Sequence, residues 1–538
     1  MKKGLKKKLV ISLLITCTAI ISCQEQAKDK EPQSDIKLGA TIGELSEVFI
    51  PEPIEVEGYG LMGGLRGTGS SQCPPQIRRY LQQYILKNLP GKTNISELID
   101  SADTAVVYVC GKIPPIAAKG ENFDLKVTAL PGTETTSLEG GILWGADLRT
   151  KSRFAGTSKV LAKAEGPIYI DEIDSNQKDK SAINPADKRS GFILAGGKVL
   201  DDYQVILLIR QKDYKLTSRI RDRINERFGY GTAKATMPGQ INLSIPTKYK
   251  ERKQKFISLV RATYLTEDIS STNQRVEQLL KLLETSKDKD SIEISIEATG
   301  NISADKVASV LSSADSEVRF RAARYLLNVG DDRGMEILRE TAFDITSPFR
   351  KAAIEAIGTA ARRNDAASIL QSLMRDDDFE IRLAAFEQLS RLDDVSITRK
   401  LISRNFYLEE TAGTDYKNIY VSRNDRPYII LIGGPMYCVD GSFIQSEDGN
   451  ITINALPGAD KVSLTRKVAG LPPITIESSH KLSDIIESLC EEATVPKDSY
   501  RKAGLNIPYS DMAELLKQMC EKGAVPAEFR AGKLVQID

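Results

Sequence analysis

An apolar residue followed by arginine recurs at Val318-Arg319, Phe349-Arg350 and Ile381-Arg382, at spacings of 31 and 32 residues. A pair of alanines follows each time: Ala322-Ala323, Ala352-Ala353 and Ala384-Ala385. A period near 30 with this content specifies a helical solenoid, because each helix pair can bury its apolar stripe only against the next pair. The apolar residue packs between helices, the alanines let helices approach closely, and the arginine sits where an aspartate of a neighbouring turn can meet it. Residues 301–400 are therefore expected to form about three helical repeats. The full chain of 538 residues has room for more, since a domain takes roughly 100–200 residues.

The remainder reads as strands and turns. Thr104–Cys110 and Phe123–Leu130 alternate or run apolar, separated by Pro114-Pro115, and Ile142-Leu143-Trp144 follows a Gly140-Gly141 turn. From 192 to 246 the order is strand (Val205–Ile209), helix (Asp213–Phe228, stopped by Gly229) and strand (Ile241–Ile245). Strand signals return at Tyr428–Ile432, Ile451–Leu456 and Val462–Leu464, then come two helices between Ser483 and Cys520 and a last strand Leu534–Ile537. The fold class is α+β, with β-rich domains around an inserted α-helical solenoid. The expected domains are 39–190, a middle α+β domain 191–300, the repeats 301–400, and a β-rich and helical region 401–538.

The chain begins with Lys2, Lys3, Lys6, Lys7 and Lys8, an apolar run Leu9–Ile21, and Ser22-Cys23. A basic region, a short apolar core and a small residue before cysteine describe an export signal. The run is shorter than the ~20 residues that span a bilayer. Ile20-Ile21-Ser22-Cys23 resembles a bacterial lipobox, which implies a signal peptide at 1–22, a diacylated Cys23 and a polar tether over 23–38. Acyl chains hold by burying methylenes at ~0.8 kcal/mol each, so two or three chains anchor a protein stably. Removing five lysines and no acid takes the side-chain charge from +1 to −4. Such a chain offers no basic footprint for nucleic acid.

Catalytic signals are weak. The one histidine, His480, precedes a helix and reads as a surface or capping residue, so no metal centre or His-based relay is expected. No catalytic, metal or cofactor residue is assigned. Gly58-x-Gly60-x-x-Gly63 has the spacing of a dinucleotide fingerprint, but no helix opens directly after it and Pro53 stands upstream, so a strand pair or loop is the better account. Cys73, Cys110, Cys438, Cys490 and Cys520 show no CxxC spacing, and either disulfides or buried thiols fit them. The single Trp144 is read as core or interface packing. Lys248, Lys250, Arg252, Lys253 and Lys255 form a basic cluster read as a solvated face, with anionic peptidoglycan or an acidic neighbour as the alternative contact.

Several of these segments, in order, resemble the flagellar P-ring protein family. Ala40-Thr41-Ile42 leads to Gly58, Tyr59, Gly60, Gly64, Leu65, Gly67, Thr68 and Gly69; Pro114 and Pro115 precede the alternating strand; Gly140 and Gly141 follow. Asp213-Tyr214, Ile224-Asn225 and Phe228-Gly229 match the family's helix-and-glycine segment, and Leu505-Asn506 with Met512, Leu515-Leu516 and Gly523-Ala524 match its closing block. The resemblance spans about 40–250 and 480–538. It implies a non-enzymatic subunit without cofactors. Such a subunit polymerises head to tail into a homo-oligomeric ring around the flagellar rod, seats the outer-membrane ring subunit, and serves motility from the periplasmic basal body. Two features depart from the family: the acyl tether at Cys23, which implies membrane contact at the outer membrane, and the solenoid, which resembles HEAT repeats. An exported lipoprotein adaptor that recruits partners through those repeats is the alternative.

Overall fold

The computed structural model describes residues 39–88, 94–151, 159–171, 173, 187–266, 268–412, 414–468, 470–493 and 503–537. The signal at 1–22, the tether 23–38 and Cys23 lie outside the described residues. A short helix, Ile42–Leu45, and strand β1 (Ser46–Phe49) come first. Strands β2 (Ile54–Gly63), β3 (Thr104–Ile113), β4 (Asn122–Ala129), β5 (Ile142–Thr150), β6 (Val160–Pro167) and β7 (Ser190–Val199) then close a barrel in the order β2-β3-β4-β7-β6-β5. Every neighbouring pair is antiparallel. Alternate residues such as Val107, Val109, Leu125, Val127, Ala146 and Leu148 fill the interior. The helix Pro75–Asn88 lies outside, burying Leu81 and Ile85 against Leu61, Val106 and Trp144.

The middle sheet is β1-β8-β10-β9, with β8 (Val205–Ile209), β9 (Ala233–Met237) and β10 (Gln240–Leu243). Its inner face is covered by the helices Tyr214–Phe228 and Lys253–Ala262 through Ile220, Ile224, Phe256, Leu259 and Val260. The first of these starts at Asp213, whose carboxylate accepts from the Lys215 and Leu216 amides, and stops at Gly229 with φ 105°.

Helices then run without interruption by strands from Lys253 to Arg391. Ser316–Asn328, Arg350–Ala360 and Phe379–Arg391 pack in succession as one layer, with Met335–Phe343 and Arg363–Leu373 as the other. Phe349 stacks on Phe320 of the preceding layer helix at 4.8 Å. The repeated arginines do a job that the spacing did not disclose. Arg319 Nη1 donates to the Ser313 and Ala314 carbonyls (2.6 and 3.0 Å), and Arg382 Nη1 donates to those of Asp376 and Asp377 (2.6 and 2.9 Å). They tie off the turn before their own helix; of the three, Arg350 also pairs with an aspartate side chain, Asp376.

Beyond the helices, β11 (Ile397–Ile402), β12 (Phe406–Thr411), β13 (Asn418–Val421), β14 (Tyr428–Ile432) and β19 (Glu528–Ala531) form a sheet ordered β11-β12-β14-β13-β19. Strands β15 (Phe443–Gln445), β16 (Ile451–Asn454), β17 (Val462–Arg466) and β18 (Ile474–Ser478) form a second, antiparallel one. The unbroken apolar run of β14 is explained by burial on both faces. Ile429 and Leu431 join the C-terminal core with the helices Leu482–Cys490 and Tyr509–Glu521, while Ile430 and Ile432 join the core of the helical array.

Three domain borders move from their expected places. Residues 191–199 belong to the barrel as β7, the helices Ile269–Thr285 and Lys289–Ala298 precede residue 301 after the middle domain's own helix Lys253–Ala262, and β11 starts at Ile397. Barrel closure drew in β7, a long-range demand that turn signals do not carry. The final strand is Glu528–Ala531 and not Leu534–Ile537, because the four residues of β13 that pair along that edge are taken by 528–531.

Candidate functional site

The motif residues gather on the barrel. Gly58, Tyr59 and Gly60 sit on β2, where this strand meets β5 and the register slips between Glu57 and Met62. Close approach, not nucleotide binding, requires the glycines. A Cβ on Gly63 would fall 2.3 Å from a Trp144 ring carbon, and one on Gly69 would fall 2.1 Å from the Thr104 carbonyl oxygen. Tyr59 packs against Tyr108 at 5.8 Å, whose hydroxyl donates to Glu57 at 2.6 Å. Burial, then that hydrogen bond, pushes the Tyr108 hydroxyl upward.

At the end of the barrel where Gly63 faces Thr104, two loops interlock. Thr68 Oγ1 donates to the carbonyls of Leu65 and Ser137, both at 2.8 Å, and the Thr68 carbonyl accepts from the Thr136 amide at 2.9 Å. Gly64 and Gly67 adopt positive φ there, as does Gly140, and the Gly141 carbonyl accepts from the Ile168 amide at 2.9 Å. Gly64, Leu65, Thr68, Gly140 and Gly141 thus share one wall of a cavity of about 560 Å³. Its other walls come from Tyr169, Leu194 and Ala195 of the barrel unit and from Arg404, Asp448, Arg466, Ile507 and Asp511 of the C-terminal region.

Pro114 and Pro115 lie at the opposite end, since Ile54 pairs with Ile113 nine residues along the strands from the Gly63–Thr104 pair. Their turn joins two cores: Ile113 is buried in the barrel, and Ile116, at φ 61°, is buried in the middle domain. Lys253 fastens the turn by donating to the Ile116 carbonyl at 3.1 Å and pairing with Glu121 at 2.7 Å.

The basic cluster is not a uniformly solvated face. Besides Lys253, Lys255 pairs with Glu297 at 2.9 Å, Lys248 reaches the Asn328 carbonyl at 3.3 Å, and Arg252 reaches Thr359 Oγ1 at 3.3 Å. Four of the five cations join the middle domain to the barrel or to the helices. Lys250 is exposed.

A buried ion pair that the sequence did not signal ties the segment after β6 to the C-terminal region. Arg423 meets Asp171 at 3.1 Å, both side chains less than a tenth exposed, and Tyr169 donates to the same carboxylate at 2.8 Å. The partners stand 252 residues apart. His480 is half-buried, its Nδ1 3.2 Å from the Cys438 carbonyl and its Nε2 2.8 Å from that of Ala459, so it braces two loops. The five described cysteines are free, and burial pushes each thiol above its ordinary value. Trp144 packs on the barrel's outer helix.

The family model for the flagellar P-ring protein matches residues 42–315, half of the chain. The chain belongs to the flagellar P-ring protein family. The match takes in the barrel, the middle domain and the first helices, and it ends just before the helix Ser316–Asn328, where the stacked repeats begin. The flagellar P-ring protein of Thermotoga maritima is 30% identical over 220 residues, covering 39% of this chain and 62% of its own. That of Anaeromyxobacter dehalogenans is 28% identical over 231 residues (41% and 59%), and that of a Bradyrhizobium strain is 25% identical over 269 (48% and 67%). The chain spans about three-fifths of the length of the first two P-ring relatives. The closing block seen in the sequence, 480–538, lies beyond the matched residues.

Proposed function

We propose that the chain is a structural, non-enzymatic subunit of the flagellar P ring, polymerising around the rod in the periplasm. One observation carries this: the matched residues 42–315 are those that build the barrel and the middle domain, and the motif glycines are the contacts that close that barrel. Self-association into a ring requires two different complementary patches on one subunit, repeated head to tail until the circle closes. The proposal extends to acylation of Cys23, outer-membrane attachment, and contact with the rod and the outer-membrane ring subunit. The helical array, fastened to the middle domain through Lys255–Glu297 and to the C-terminal sheet through Ile430 and Ile432, acts as a brace inside the subunit. Negative-stain images of basal bodies from a deletion strain should lack the mid-periplasmic ring. An intact ring would reject the proposal. For the anchor, labelled fatty acid should enter the wild-type chain and not Cys23→Ser.

A further inference from the structure

The cavity between the motif loops and the C-terminal region has features that barrel closure does not require. Arg66, Lys188, Arg404, Arg466 and Lys467 line it, against the carboxylates of Glu139, Asp448 and Asp511. Lys188 is held by Glu139 at 2.8 Å, and Arg466 is spent on the carbonyls of Leu505 and Asn506. Arg66 stands close enough to Arg466 that burial, then this like charge, pulls Arg466 below the ordinary arginine value. Burial and Arg66 outweigh the opposing carboxylates of Asp511 and Asp448, so a further anion at this place is favoured.

Backbone conformation singles out the same place. Of the eight non-glycine residues with positive φ among the described residues, Arg66, Ala195, Arg404 and Asn506 all line this cavity. Residues held in such sparsely populated conformations concentrate where a ligand is met, because the surrounding structure must hold them there. The volume, about 560 Å³, and the position between two domains are those of a binding site.

We propose that the cavity binds an acidic peptide segment. Its carboxylates are taken by Arg66, Arg404 and Lys467, and its side chains rest on the apolar floor of Leu65, Ile168 and Ile507. A peptide suits the walls better than a compact polyanion does. The cations are dispersed and interleaved with carboxylates, so the cavity matches spaced charges and would repel concentrated ones. The inference stands apart from the ring assignment and has its own test.

The purified full chain is titrated with a dye-labelled Asp/Glu hexapeptide and followed by fluorescence anisotropy, with a Lys hexapeptide and inorganic phosphate as comparators. Saturable binding of the acidic peptide alone is expected. Arg404→Ala and Lys467→Ala should each weaken it about tenfold, and Lys250→Ala, an exposed cation elsewhere, should leave it unchanged. Thermal melts check that the variants fold. Hydrogen exchange on the unmutated chain gives an independent reading, with the peptide slowing exchange at 64–68 and 504–508. The proposal is overturned if the acidic peptide fails to saturate, if the cavity variants bind as well as wild type, or if phosphate displaces the peptide at equal concentration.

Discussion

The barrel and the helical array solve the same burial problem in opposite ways. In the barrel, the pairing that closes the structure joins β2 to β5, between partners 79 to 94 residues apart, and it succeeds because glycines let the strands and Trp144 approach. In the array, each helix packs against helices one or two places away, and Arg319 and Arg382 each tie off the turn before their own helix. Closure by distant pairing tolerates little change at its seam, whereas stacking by near neighbours distributes the burden over many similar contacts. The family match covers the barrel and the middle domain and ends just before the helix Ser316–Asn328.

That contrast can be broken by substitution. The largest effect is expected from Gly58→Val, in the β2–β5 seam, whose side chain would collide with the Asp147 carbonyl. Loss of at least about 4 kcal/mol, or of soluble protein altogether, should appear in thermal unfolding and yield. In the array, Ile354 is fully buried, and Ile354→Ala should cost about 3 kcal/mol by leaving a cavity while the protein still folds. If the two substitutions proved equally damaging, the distinction would fail. A smaller loss, about 2 kcal/mol, is expected for Arg382→Lys, since one ammonium nitrogen on a shorter stem cannot take the places of two guanidinium nitrogens, Nη1 on the Asp376 and Asp377 carbonyls and Nη2 on the Asn418 side chain. Chemical denaturation would measure it.

Lys253→Ala tests the joint between barrel and middle domain. Its ion pair with Glu121 is partly solvent-exposed, so about 1 kcal/mol is expected, with faster hydrogen exchange at 114–121 as the local signature. Smallest in energy is the thiol count. In a chain lacking residues 1–23, Ellman titration after denaturation should give one equivalent for each of the five described cysteines, and the native chain should protect Cys438 and Cys490, which are buried. Fewer thiols after denaturation would mean disulfides.

The array was legible because its repeat is local: apolar-Arg and Ala-Ala at one period are enough to name stacked helices. The helix ended by Gly229 and the strand at Tyr428–Ile432 were legible for the same reason. The site was legible only in pieces. Gly64, Thr68 and Gly140 stood out as glycine-rich turns, but nothing in their spacing told that they form one wall while Pro114 and Pro115 lie at the other end of the barrel. The basic cluster was misjudged because charge runs say nothing of partners such as Glu121 and Glu297, which come from other parts of the chain.

Sequence alone settled the α+β class, the helical character of residues 316–391 and the family, all of which rest on short-range periodicity and ordered motifs. Tertiary structure decided that β7 belongs to the barrel and that the motif glycines are close-packing contacts. It also decided that lysines 248, 253 and 255 join domains, and that Arg423 finds Asp171. Each of these depends on pairing between residues far apart in the chain, where only the closed fold brings a donor to its acceptor or a strand to its edge.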